Sequence, residues 1–87
     1  MRSPLMSNHP NRNWRSRWSV SGGEARHGPS GLVVRFQRAA DAAAWDGQAV
    51  NGQEVAEGLI QAHGRDAAGR MLARLMREAG DIFREAT

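Results

Sequence analysis

The residues of this chain best suited to chemistry fall in one short stretch, Arg12-Asn13-Trp14-Arg15-Ser16-Arg17-Trp18. A guanidinium is a planar, permanently charged donor that grips phosphate or carboxylate oxygens in pairs, and an indole face can stack on a base. Arginine interleaved with tryptophan is therefore suited to holding an anionic polymer rather than to breaking bonds. Arg26 and Arg35 follow in strand-like sequence. The candidate binding set is Arg12, Arg15, Arg17, Arg26 and Arg35, with Trp14 and Trp18 as the associated rings.

Spacing decides how those residues would be presented. Trp14–Val20 alternates, so a single strand would put Trp14, Ser16, Trp18 and Val20 on one face and Arg15, Arg17 and Ser19 on the other. The rings would then lie against the body of the protein while the arginines form an outward ridge. Such a ridge favours phosphate contact over base stacking. A purely structural reading stands beside it: two core tryptophans beneath a basic edge strand whose charges discourage edge-to-edge pairing.

Charge is distributed unevenly along the 87 residues. Residues 1–38 hold seven arginines and one acid, Glu24, whereas residues 39–87 hold five arginines and eight acids. The front half is thus basic and the back half mildly acidic, which points to an anionic partner for the front. All twelve basic residues are arginine. Together with abundant Ala and Gly, that choice fits a high-GC bacterial source or its mobile element; the clustering at the front needs a separate cause.

Other functions lack their residues. No cysteine is present, and His9, His27 and His63 have no metal-ligand spacing, so no metal site or cofactor is expected. No nucleophile sits in an elbow motif, and no glycine-rich loop carries a lysine for phosphate. No apolar run approaches the roughly 18 residues of a membrane span, and the N-terminus has no apolar signal core. The expectation is a cytoplasmic, non-enzymatic protein with no membrane association.

The positioning elements follow from the pattern. Residues 1–13 read as a disordered basic arm, in which Met6 is an alternative start to Met1, and residues 14–87 as one compact domain. Trp14–Val20 reads as a strand, Ser21-Gly22-Gly23 as a turn and Glu24–His27 as a short return strand. After a Gly28–Gly31 turn, Leu32–Arg38 alternates again with Leu32, Val34 and Phe36 inward. Residues 39–44 fit one helical turn or a loop, and Trp45–Val50 a last strand with Trp45 in the core.

Asn51 and Glu54 have the spacing of a capping box for a helix over Gln53–His63, with Gly64 as an αL cap. A second helix is expected from an Asp66 N-cap to about Glu85, with Arg74/Glu78 and Arg77/Asp81 placed for i,i+4 ion pairs. Its apolar stripe includes Leu72, Leu75, Met76, Ile82 and Phe83, a face for the core, a partner or a homodimer seam. A helix-turn-helix would make this second helix the reader through Arg70, Arg74 and Arg77. Its length and the acids that follow argue against that use. Gly31–Phe36 lacks the internal aromatics of an RNA-reading strand.

The fold expected is α+β: a small antiparallel β-meander of two to four strands, then two helices, with the long C-terminal helix packed on the sheet. The function expected is binding of an anionic partner, foremost nucleic acid, through the N-terminal arginine ridge. The alternatives are a protein-binding inhibitor or adaptor, such as a phage or plasmid product that blocks a host defence complex, and a helix-mediated homodimer.

Overall fold

The computed structural model describes residues 13–38 and 45–86. A four-residue 3-10 turn, Trp14–Arg17, leads into β1 (Trp18–Ser21), β2 (Glu24–His27), β3 (Val33–Arg38) and β4 (Trp45–Ala49). The strands form one antiparallel meander in the order β1-β2-β3-β4. Helices α1 (Gly52–His63) and α2 (Arg65–Ala86) follow. The expected α+β architecture is present in full: four strands, then two helices, with α2 lying against β1 and β2.

Local chemistry explains the tight hairpin. Ser21 and Glu24 are directly paired, so only Gly22 and Gly23 span the turn, with φ of +62° and +79°. Two consecutive positive φ angles match the twist of a two-residue hairpin, and glycine adopts them without a Cβ penalty.

Register sorts the side chains. Trp18 faces His27, Val20 faces Ala25, Ala25 faces Val34 and Val34 faces Ala49, making one row toward the helices. On the other side lie Ser19, Glu24, Arg26, Val33, Arg35 and Gln48, the open face of the sheet. Under the helices, Trp18, Ala25, Leu32 and Val34 join Val55 of α1 and Leu75 and Ala79 of α2 in one core. Phe83 is buried as well, stacked on Phe36 with ring centroids 4.2 Å apart.

Several expectations require correction. Trp14–Val20 is not one strand: the first four residues coil into the 3-10 turn, where the Ser16 amide and hydroxyl both donate to the Asn13 carbonyl, at 3.1 and 2.7 Å. A short side-chain bond to nearby backbone competes with strand pairing there. Trp45 does not fill the core; it is 43% exposed and meets Phe83 edge-on at 5.2 Å.

The third correction concerns the capping box. The Asn51 side chain makes no cap bond. Its Oδ1 accepts from the Val33 amide and its Nδ2 donates to the Gly31 carbonyl, each at 2.9 Å. The Val50 amide already donates to the Val33 carbonyl, so Asn51 extends the β3–β4 ladder by one side-chain rung. Fourth, α2 starts at Arg65, which puts Asp66 inside its first turn rather than at the cap. Gly64 carries positive φ as expected, but its ψ of 162° is extended rather than αL. Of the arm expected over residues 1–13, residues 1–12 lie outside the described residues, as does the helical turn or loop expected over 39–44, while Asn13 caps the 3-10 turn.

Candidate nucleic-acid interface

The arginines grouped in sequence are separated in space, and most of them meet an acid. Arg15 leaves the 3-10 turn to make a two-pronged bond with Glu85 at the end of α2, Nε to Oε1 at 2.9 Å and Nη2 to Oε2 at 2.8 Å. That bond holds the Glu85 carboxyl below its ordinary value and the Arg15 guanidinium above its own. Arg26 and Arg35 stand on the open face of the sheet and share Glu24, at 3.0 and 2.9 Å. The hydrogen bond from Arg35, with the nearby charge of both arginines, pulls Glu24 below the usual carboxylate range. With Asp46 also in β4, the open face is a balanced mixture of charges rather than a basic ridge. Arg12 lies outside the described residues.

Both front tryptophans pack on the core. Trp18 is buried in the core, and its indole Nε1 donates to Glu78 Oε1 at 3.0 Å. Trp14 is half-buried against the same core, with the Arg15 guanidinium 4.5 Å from its ring centre. Of the front set, Arg17 alone stays exposed with no carboxylate within ion-pair distance among the described residues. It borders an open cleft with Ser16, Ser19, Arg26 and His27.

His27 links this corner to α2. It is 9% exposed, 4.8 Å from the Trp18 ring. Its Nδ1 lies 2.8 Å from Ser30 Oγ and receives the Ser30 amide at 3.3 Å. Because Ser30 Oγ accepts the Leu32 amide, its own proton is directed to Nδ1, which therefore acts as an acceptor in a neutral ring. Burial lowers the His27 pKa most; the charges of Arg17 and Arg74 lower it further, and Glu78 opposes them. Arg17 and Arg74 thus act on one imidazole from β1's approach and from α2.

Sequence reasoning considered the most distinctive cluster only as a helix-turn-helix reader and set it aside. Arg70, Arg74 and Arg77 are exposed along α2 and, with Ala67 and Met71, line an open cleft of about 360 Å³ that contains no carboxylate. Their i, i+4, i+7 spacing spans two helical turns on one face, with axial steps of about 6 and 4.5 Å. The expected neutralising pairs do not form. Glu78 is engaged by the Trp18 indole rather than by Arg74, and Asp81 bonds Arg84 rather than Arg77. Among the described residues, none of these three arginines has an ion pair. The spacing was visible in the sequence; the absence of pairing was not.

The apolar face Leu72, Leu75, Met76, Ile82 and Phe83 turns inward. Leu75 and Phe83 are buried, and Leu72, Met76 and Ile82 pack on the core. Gly64 alone joins α1 to α2, shorter than the three- to four-residue turn of a helix-turn-helix. Among the described residues, no group of three metal-ligating side chains is assembled, and no helix is long and apolar enough to cross a membrane. No family model matches the chain, and neither a curated protein nor a solved structure shows significant similarity to it.

Proposed function

We propose that this protein is a non-enzymatic binder of nucleic acid, and that its contact surface runs from Arg17 onto the exposed face of α2 at Arg70, Arg74 and Arg77. The observation that carries this reading is the arginine triplet on α2, unpaired among the described residues. Permanent charges kept within two helical turns, with their nearest sequence acids engaged elsewhere, form a local field that a polyanion relieves. The front arginines contribute through Arg17, while Arg15 ties the 3-10 turn to α2 and Arg26 and Arg35 are balanced by Glu24.

Release of condensed counterions gives such binding a steep salt dependence. Fluorescence anisotropy of labelled oligonucleotides, titrated with the protein at about 50 and 200 mM salt, tests it. Affinity that falls by at least about tenfold across that range supports the reading. Absence of binding at low salt, or affinity insensitive to salt, refutes it.

A further inference from the structure

We infer that the nucleic acid held on this surface is duplex DNA, gripped by its phosphate backbone without reading of base identity. This rests on the nucleic-acid reading above and goes further by naming the ligand's form. Proteins that hold single strands without sequence preference combine a basic groove with aromatic rings on which bases stack. In this chain every tryptophan and phenylalanine ring is accounted for, because its three tryptophans and two phenylalanines all lie among the described residues.

Trp18 and Phe83 are buried, and Phe36 stacks on Phe83. Trp14 has the Arg15 guanidinium over its ring and packs on the core. Trp45, the most exposed, has the Arg38 guanidinium 5.0 Å from its ring centre and Phe83 at its edge. None of these rings lines the α2 cleft. What remains there is charge, and charge is rewarded most where phosphates are densest: a DNA duplex carries one negative charge per about 1.7 Å of axis. The cleft has no amide to pair with adenine and no carboxylate to accept from cytosine, only Ala67 and Met71 beside the arginines, so of the base-edge hydrogen bonds it could make only those to guanine. The three arginines stand on one face of a helix, a shape that the roughly 12 Å wide major groove of B-DNA admits and the deep, narrow major groove of an A-form RNA duplex does not, which favours DNA.

The test compares the intact chain on a 20-base-pair DNA duplex, its separated strands, a duplex of shuffled sequence and the matching RNA duplex, by anisotropy across a salt series. The expected result is a DNA duplex bound at least about fivefold more tightly than either strand, with log affinity falling against log salt at a slope near −3.5, as for about four phosphates. The shuffled duplex is bound equally, and tryptophan emission is unquenched. The Arg70→Gln/Arg74→Gln variant, with its fold checked by circular dichroism, lowers that slope by about two. Tighter binding of single strands or of RNA, quenched tryptophan, or strong preference between the two DNA sequences overturns this inference while leaving the nucleic-acid reading intact. Absence of binding to all four overturns both.

Discussion

The Trp18 indole donates to the Glu78 carboxylate across 3.0 Å, joining the first strand to the middle of the last helix. One bond settles two questions. It gives the buried indole N–H its partner, which lets Trp18 serve as core rather than as a contact residue. It also directs Glu78 away from Arg74, so the arginine one turn earlier remains available on the surface.

Substitutions at the two ends of that bond should therefore have opposite consequences for binding. Trp18→Phe removes the donor and is expected to cost about 1–3 kcal/mol of stability. It also frees Glu78 to approach Arg74 and weakens DNA binding. Glu78→Gln keeps an oxygen for the indole and removes a negative charge beside the triplet, so affinity should rise a fewfold. Chemical denaturation and anisotropy on both variants check the pair of outcomes.

Asn51 is expected to matter for the sheet rather than for helix capping. Asn51→Ala strips the Val33 amide and the Gly31 carbonyl of their partners, for a loss of about 1–3 kcal/mol. Asn51→Asp retains the acceptor for Val33 but not the donor for Gly31, and its stability should fall between those of the alanine variant and the native chain. Amide exchange at Val33, accelerated in the alanine variant, would locate the effect.

Glycines in the sheet and helix should respond in opposite directions. A Cβ on Gly47 would stand 2.6 Å from the Phe36 ring, which lies over this glycine and stacks on Phe83. Gly47→Val is expected to cost about 1–3 kcal/mol by overpacking. Gly58 lies inside α1 with open space around it, so Gly58→Ala should stabilise by roughly 0.5–1 kcal/mol. Thermal unfolding of the two variants reads both signs.

Acid should weaken the fold in two stages. Burial holds the His27 pKa below its ordinary 6.5, so the unfolded chain binds the proton more readily. Its contribution is complete above about 6.5 and declines as pH falls through that value toward the folded one. Glu24 and Glu85 are lowered from about 4.5, so their contributions are complete above that value and lost below it. His27→Gln should abolish the first stage and leave the second. Denaturation midpoints at about pH 7.5, 5.5 and 3.5 distinguish this from a single acid transition.

Periodicity revealed the parts of the molecule whose side chains answer to one face. Leu32, Val34 and Phe36 turn inward as their alternation implies, and Leu72, Leu75, Met76, Ile82 and Phe83 cover the core from α2. The Trp14–Arg17 segment misled because its alternation was real while Ser16 bonded locally to Asn13. Asn51 misled because a cap and a ladder rung demand the same amide. The proposed binding surface was hidden for a different reason. Adjacency along the chain groups Arg15, Arg26 and Arg35, but strand register brings Glu24 between the latter two and helix length brings Glu85 to the first. Which arginines keep their charge unpaired is a property of tertiary structure.

The most direct test of the relocated surface is a comparison of two double variants on the same DNA duplex by anisotropy. Arg70→Gln/Arg74→Gln should lower affinity at least about tenfold and reduce the salt slope by about two, whereas Arg26→Gln/Arg35→Gln should leave both nearly unchanged. If the sheet variant loses binding and the helix variant keeps it, the contact surface is the open face of the sheet and the α2 triplet plays no part in binding.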